Sequence, residues 1–486
     1  MKIAFVASEA FPYAKTGGLA DVAGALPKAL EKLGCNVKLF IPKYGIIDEK
    51  KFHLTFIKEI EIPVHVAGAT RKVFLHKSVL PGSNVEVNFI DCPHYFFRKS
   101  IYTNDPDEDE RFILFNKAVI ELINLSDWVP DIIHCNDWQS GLLPLYLKEN
   151  YKTNKKFSGT AALFTIHNVG YQGHFSEETY YRAEIKKDLV LPFDPEKSTG
   201  FSFMKTAVLY SDIINTVSQT YALEILTPEY GSDMEKILSE RKTDLFGIVN
   251  GIDYSEWNPL IDEYIPYHFN FDKLGGKSRN KKHLLEGFNL SYDEKIPLIG
   301  IVSRMAGQKG FDIVAESLNE LMKLDAQWII LGNGEDRYEN LFRSLAHSFP
   351  DKIGSYIGFS NDLSHLIEAG SDMFLMPSRY EPCGLNQLYS LRYGTVPVVR
   401  RTGGLADTVR DWHEFNSMEN KGGTGFSFND YTSKALISTV SRAVETFKEK
   451  EVWKQIQKNG MALDFSWEHS AKDYLDLYKR ALTKKT

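Results

Sequence analysis

The run Ser378 to Gly394, Ser-Arg-Tyr-Glu-Pro-Cys-Gly-Leu-Asn-Gln-Leu-Tyr-Ser-Leu-Arg-Tyr-Gly, places a carboxylate, a turn and a helix start within a few residues of one another. It follows the apolar segment Asp372 to Met376, which reads as a buried strand, and leads into Leu385, Leu388, Tyr389 and Leu391 at helical spacing. Glu381 therefore falls in a strand-to-helix turn. Pro382 pre-sets a backbone angle for such a turn, and Gly384 lets the chain approach a ligand closely. The N–H groups of Gly384, Leu385 and Asn386 open the helix without internal partners, and a start of that kind attracts phosphate. A carboxylate beside an anion site points to a sugar bound through its phosphate. On this stretch alone, a tight turn whose Glu is a solvated cap explains the residues equally well.

Other turns carry compatible chemistry. Arg304 and Lys309, five apart in Ser303-Arg304-Met305-Ala306-Gly307-Gln308-Lys309-Gly310, can grip a diphosphate together, each charge-assisted bond contributing roughly 1.5 to 3 kcal/mol. Taken alone, the loop is more readily a solvated pair of cations, and its position at a strand's carboxyl end is what favours the ligand. His167 and Asn168, at the end of the apolar run Ala161 to Ile166 and followed by glycines, can bond sugar hydroxyls, though a lone His is more often structural. Asp137 beside Trp138 offers a carboxylate for hydroxyls and an indole face for a sugar ring. The acidic run Asp105 to Glu110 could hold a divalent metal, but its place at a helix N-terminus favours capping. Adjacent Glu177 and Glu178 set no glycosidase separation, Cys383 lacks an evident His partner, and no GxxxxGK[ST] loop is present.

Positioning these turns requires two series of alternating strands and helices. The first opens with a strand at residues 2 to 7, the turn Lys15 to Asp21, and a helix from Leu19 that Pro27 should kink or split. Val37 to Ile41 is the next strand. Shorter runs at Ile60 to Val66, Lys72 to Lys77 and Val85 to Ile90 predict an antiparallel insertion. Then follow a helix from about Asp107 to Leu125, strands at Asp131 to Cys135, Ala161 to Ile166 and Asp212 to Val217, and a helix after Gly141. The second series has strands at Leu298 to Val302, Trp328 to Leu331, Ser355 to Ile357, Met373 to Met376 and Val396 to Val399. The expected fold is α/β, two doubly wound Rossmann-like domains whose strand ends face one cleft, with domains at 1–253 and 254–466. Thr-Gly-Gly-Leu-Ala-Asp occurs at 16–21 and again at 402–407, each copy preceded by a cation, as expected of similar turns facing one ligand.

The size, 486 residues, calls for two or three domains. An apolar fraction of 43%, a charged fraction of 25% and a net charge of −7 fit a globular enzyme rather than a binder of nucleic acid or anionic membranes. Four dispersed cysteines indicate neither a zinc site nor a disulfide framework, and a reducing cytoplasm is the simplest setting. The opening apolar run is brief for a signal peptide, and no segment reaches the roughly 18 apolar residues of a membrane span.

Together, Lys-Thr-Gly-Gly-Leu-Ala-Asp-Val, His-Asn-Val-Gly-Tyr-Gln-Gly, Ser-Arg-x-x-x-Gln-Lys-Gly, Tyr-Glu-Pro-Cys-Gly-Leu-x-Gln and Arg-Thr-Gly-Gly-Leu-Ala-Asp-Thr-Val resemble the bacterial glycogen synthase and plant starch synthase family, in order from Met1 to Trp467. The resemblance implies the GT-B fold and cytoplasmic transfer of glucose from ADP-glucose to the non-reducing end of an α-1,4-glucan, with retention and with neither metal nor other cofactor. It implies that Lys15 and Gly18 lie at the donor, with Asp21 behind them. Arg304 and Lys309 become the diphosphate cations, Glu381 the sugar-orienting carboxylate, and Gly384 and Leu385 the phosphate-facing amides. His167 falls near the reacting carbon, with Asn168 beside it, and Asp137 at the sugar. Phe359 stands where the family often stacks a Tyr on adenine, Gln139 replaces a common His, and Tyr95 is left as an acceptor contact. Residues 467–486 should form a helix returning to the first domain, with hinges near Gly251 and before that helix. The competing readings are a UDP-glucose enzyme or phosphorylase of the same fold, and a catalytically silent glucan-binding protein.

Overall fold

The computed structural model describes residues 1–63, 69–192, 194, 196–197, 199–417 and 422–485, so the part of the expected 60–66 strand beyond residue 63 lies outside the described residues. The chain divides into two compact units, one of Met1–Gly251 with Trp467–Thr486 and one of Ile252–Ser466.

In the first unit the strands are β1 (Lys2–Val6), β2 (Asn36–Pro42), β3 (Thr55–Pro63), β4 (Thr70–Val79), β5 (Glu86–Asp91), β6 (Ile132–Asn136), β7 (Ala161–Ile166), the two-residue pair β8 (His174–Phe175) and β9 (Phe201–Ser202), β10 (Ile213–Thr216) and β11 (Leu245–Gly247). Nine of them form one sheet in the order β11-β10-β7-β6-β1-β2-β5-β4-β3. Ile3, Phe5, Ile133, Leu163 and Phe164 are fully or almost fully buried, as befits parallel strands covered on both faces. The expected antiparallel strands are present as β3, β4 and β5, with β4 antiparallel to both of its neighbours. β5 also pairs parallel with β2 and so joins this edge to the parallel sheet. Val87, Phe89 and Ile90 are buried, as befits a strand covered on both faces.

Pro27 does not split the first helix, which runs unbroken over Gly18–Lys32. Ala23, Leu26, Ala29 and Leu30 are buried in the unit's core, and that packing offsets the missing Pro27 N–H bond. The helix expected after Gly141 is instead a short turn at Leu143–Leu145 running into a π-helical turn at Tyr146–Asn150. The last helix, Trp467–Lys485, packs into the first unit's core through Ala471, Tyr474, Leu477, Tyr478 and Ala481. Tyr478 OH and His134 Nδ1 lie 2.8 Å apart, and Asn215 Nδ2 donates to Tyr474 OH at 3.1 Å.

The second unit holds β12 (Leu298–Val302), β13 (Gln327–Gly332), β14 (Ile353–Ile357), β15 (Met373–Met376), β16 (Val396–Arg400) and β17 (Phe426–Phe428), the last unforeseen from the sequence. Their order is β14-β13-β12-β15-β16-β17 and every pairing is parallel. Each unit is thus a Rossmann-like sheet whose chain leaves the middle in both directions. In such sheets the crevice at the reversal point, between β1 and β6 in one unit and between β12 and β15 in the other, is where ligands bind. No described helix is long and apolar enough to cross a membrane.

Candidate active site

At the β12/β15 reversal of the second unit, two turns are built into each other. The loop after β12 tightens into a 3-10 turn at Gly307–Lys309, followed by Gly310 at φ +83°. A Cβ on Gly310 would stand 2.1 Å from Pro377 O, so only glycine lets this loop seat against the strand end that leads to Glu381. Arg379 N–H donates to Gln308 O at 2.9 Å, Gln308 Nε2 donates to Tyr380 O at 3.3 Å, and Glu335 Oε1 accepts Gly307 N–H at 2.9 Å. Held in this way, Lys309 Nζ donates to both carboxylate oxygens of Glu381, at 2.9 and 2.6 Å. Ser378 Oγ donates to Glu381 Oε2 at 2.9 Å, and Glu381 is only 5% exposed. The sequence placed Lys309 at the diphosphate and Glu381 at the sugar; the tertiary structure joins them in a bidentate ion pair with the ammonium on the outside. Arg304 is exposed, with Nη2 3.2 Å from Gln308 Oε1.

Gly384, at φ +74°, turns the chain into helix Asn386–Tyr393, and Gly384 to Asn386 reach the surface while Glu381 to Cys383 stay buried. Gln387 Nε2 ties the turn from inside, donating to Cys383 O and Gly384 O at 3.0 Å each. Phe359, after β14 on the same edge of the sheet, is 84% exposed and offers a bare ring face.

The repeated hexapeptide serves two different ends. In the second copy Gly403 and Gly404 are buried beneath the Glu381 turn, where added Cβ atoms would stand 1.9 Å from Glu381 O and 2.1 Å from Cys383 O. That copy supports the turn rather than facing solvent, which corrects the expectation of two equivalent ligand-facing turns. In the first copy Gly18 is exposed, and a Cβ on Gly17 would meet nothing nearer than Glu9 Oε1 at 3.7 Å.

In the first unit the reversal-point residues follow β1, β6 and β7. Lys15 Nζ and Asp21 Oδ1 are 2.5 Å apart; burial pushes the Asp21 carboxyl up, and Lys15 only partly opposes that. His167 N–H donates to Asp137 Oδ1 at 2.8 Å, and Asp137 sits at φ +54°. Burial raises the Asp137 carboxyl to about 7 against the bonds from the His167 and Asn168 N–H groups. Burial also lowers His167 to about 3, so its imidazole is neutral near pH 7. Its tautomer follows from Asn136. Asn136 Nδ2 donates to Val6 O at 3.1 Å and lies 3.4 Å from His134 O, which leaves Oδ1 to accept from His167 Nε2 at 3.0 Å. Nε2 therefore carries the proton and Nδ1 is an acceptor, suited to a sugar hydroxyl. Asn168 Oδ1 accepts Gly170 N–H at 2.9 Å, leaving its amide nitrogen as the donor end.

Two readings need correction. Tyr95 is fully buried with its hydroxyl donating to Glu110 at 2.7 Å, so it is no acceptor contact. The Trp138 indole packs against Phe112, Phe175 and Phe203, and Gly173 lies so close that a Cβ there would be 2.5 Å from the ring; it belongs to an aromatic cluster, not to a sugar platform. The acidic run does open a helix, Glu108–Leu125, with Asp107 at the N-cap position and Glu108, Asp109 and Glu110 in the first turn, and its carboxylates are also ion-paired. Arg98 meets Asp105 and Asp107 at 2.7 and 2.5 Å, Arg111 meets Glu108 at 2.5 Å, and Arg182 meets Asp109 at 2.9 Å.

Glu9 was missed. It follows β1 directly, is 3% exposed, and its Oε2 accepts Thr16 N–H at 2.5 Å and Thr16 Oγ1–H at 2.9 Å. It thereby braces the turn carrying Lys15 and Gly18. Tyr44 OH donates to Ser8 O at 2.8 Å, and Ser8 Oγ and Tyr102 OH are 2.7 Å apart, so Glu9 itself is fixed. Its place at the carboxyl end of a central strand was the available signal.

Known proteins are similar to the chain along its length. Residues 2–240 match the family model described as the starch synthase catalytic domain, and residues 287–460 match that of glycosyl transferases group 1. The chain is 45% identical to a glycogen synthase of Thermotoga petrophila, covering 100% of this chain and 99% of that protein. It is 43% identical to one of Desulforudis audaxviator, covering 100% and 97%. The catalytic domain of starch synthase IV from Arabidopsis thaliana, solved bound to ADP and acarbose, superposes with a TM-score of 0.91 at 32% identity, covering 99% of each chain. With both halves matched, with relatives similar over their full length and with the GT-B fold in common, the chain belongs to the glycogen synthase and starch synthase family of glycosyltransferases.

Proposed function

We propose that the protein transfers glucose from ADP-glucose to the non-reducing end of an α-1,4-glucan with retention at the anomeric carbon. Family membership supports the glucosyl transfer, and ADP bound to the related starch synthase supports the nucleotide. The observation that carries the reading in this chain is the Lys309–Glu381 pair at the β12/β15 reversal, flanked by exposed Arg304 and the Gly384–Asn386 helix start.

When the C1–O bond breaks, its electron pair goes to the departing diphosphate. Arg304, Lys309 and the amides of Gly384 and Leu385 are positioned to stabilise that charge, the type of term that contributes most to such reactions. Glu381 aims the Lys309 ammonium, so the cation need not reorganise as charge develops. Phe359 supplies a stacking face for adenine. In the first unit, Lys15, Gly18 and Asp21 are assigned to the donor, and Asp137, Asn168 and neutral His167 to sugar hydroxyls. The acceptor hydroxyl attacks C1 from the leaving-group side, and its proton passes to the departing diphosphate. The protein cations and amides perform the neutralisation often given to a metal, so activity should survive a chelator. A reducing cytoplasm suits the four free, buried thiols.

The test is incorporation of labelled glucose into glycogen from ADP-glucose and, in parallel, UDP-glucose, both with EDTA. Incorporation mainly from ADP-glucose is expected. Preference for UDP-glucose would overturn the donor, and glycogen binding without incorporation from either would make this a glucan-binding protein.

A further inference from the structure

Helix Asn386–Tyr393 begins at the turn bearing Gly384, so whatever sets its position also sets the amides at its start. At eight residues it is too short to be stable alone, and its placement depends on its neighbours. Three of its side chains are gripped by the segment that opens the second unit, residues 254–268. Tyr389 stacks on the Trp257 indole, with ring centroids 3.7 Å apart and planes 7° from parallel, and the His365 imidazole also stacks on that indole, at 3.7 Å and 12°. Arg392 Nη2 donates to Asn258 Oδ1 at 3.3 Å while its guanidinium lies 4.4 Å from the Tyr254 ring centre. Tyr393 OH donates to Asp262 Oδ2 at 2.6 Å, and the same oxygen lies 2.9 Å from His365 Nδ1.

These contacts are directional, unlike ordinary apolar packing. The Asp262 and His365 side chains are both fully buried, and His365 Nε2 has no hydrogen-bond partner among the described residues. Burial pushes the Asp262 carboxyl up, but bonds from His365, Tyr393 and the Tyr264 N–H outweigh it and hold the group below its ordinary range, as an anion. A further buried bond, Ser390 Oγ to Glu368 Oε2 at 2.7 Å, ties the helix to the neighbouring helix Asn361–Gly370. A two-turn helix bonded this densely has little freedom to slide or rotate, and its first amides inherit that rigidity.

We propose that residues 254–268 form a clamp that positions the phosphate-facing helix, with Trp257 and Asp262 as positioning residues for donor binding. The inference rests on the reading of the helix start as the diphosphate site. It is tested in the full chain by measuring KM for ADP-glucose and for glycogen separately, with thermal melting alongside. Trp257→Ala should raise KM for ADP-glucose about 10- to 100-fold and leave KM for glycogen within about twofold, because only the donor meets this helix. Trp257→Phe keeps a ring in the stack and should recover most of the loss. An unchanged donor KM with only a lowered melting temperature would overturn the clamp, as would an equal rise in both KM values.

If Trp257→Ala does not fold, Trp257→Phe and Asn258→Ala carry the test, the latter removing one hydrogen bond and raising donor KM a few-fold; wild-type values in both overturn the proposal. ADP affinity, measured by calorimetry on wild type and variants, separates this inference from the functional reading. A wild type that binds ADP but transfers no glucose fails that reading, while weaker ADP binding by the variants still supports the clamp and equal binding overturns it.

Discussion

Glu381 and Lys309 define the chemistry at the scale of single residues. A buried carboxylate whose two oxygens both accept from one ammonium is a device for aiming a cation, and losing either partner leaves the other misplaced. Lys309→Ala or Arg304→Ala should lower kcat by about 2.7–4 kcal/mol, by analogy with removing one oxyanion donor, and initial rates on folded protein check it. Glu381→Ala should cripple turnover without unfolding the protein. Asp137 and His167 make a second prediction. Asp137 rises from its ordinary value to about 7, so the folded protein holds a proton that the unfolded chain releases, and stability falls as pH rises from about 4 to 7. His167 falls to about 3, so the folded protein binds fewer protons than the unfolded chain, and stability rises between about pH 3 and 6.5. Where the windows overlap the two slopes oppose. Asp137→Asn should therefore uncover a steeper rise of stability with pH between 4 and 6.5 in denaturant titrations, and an unchanged profile would refute the assignment.

Among the elements, the two copies of Thr-Gly-Gly-Leu-Ala-Asp make the sharpest comparison. Both open helices, Gly18–Lys32 and Gly403–Thr408, yet one turn is open and the other lies beneath the Glu381 backbone. Gly404→Ala would force a methyl group to 2.1 Å from Cys383 O and should destabilise by about 1–3 kcal/mol or more, with loss of activity because the Glu381 turn must move. Gly17→Ala meets nothing within 3.7 Å at a φ of −150° and should cost less than about 1 kcal/mol. Urea melts of the two variants make the comparison directly. Glu9 acts at the same scale. Glu9→Ala leaves the Thr16 N–H without its carboxylate and should weaken the Lys15–Gly18 turn by about 1–3 kcal/mol, read as a raised KM for ADP-glucose, with Glu9→Gln recovering part of it.

For the molecule as a whole, the chain order and the folded units disagree at the C-terminus. Trp467–Lys485 follows the second unit in sequence but supplies core to the first, where Tyr474 and Tyr478 are fully buried against Asn215 and His134. Tyr474→Ala should cost about 3–5 kcal/mol, and limited proteolysis should find the weakened protection in fragments of Met1–Gly251 rather than Ile252–Ser466.

What could be read from the chain unaided was local. A glycine before a helix, a cation pair after an apolar run, and buried runs such as Ala161–Ile166 and Leu298–Val302 announce their chemistry through backbone sterics and burial within a few residues. Those signals carried the α/β class, most strand positions and the turns at Arg304, Lys309, Glu381, His167 and Asp137. The remainder depended on residues far apart in sequence. Whether Trp138 offers its ring or hides it depends on Phe112 and Phe203; whether Gly403 faces a ligand or a carbonyl depends on Glu381; and the place of Tyr95 depends on Glu110. Identical hexapeptides have identical local preferences and were given opposite environments, because environment is a property of the contacts that close across the fold.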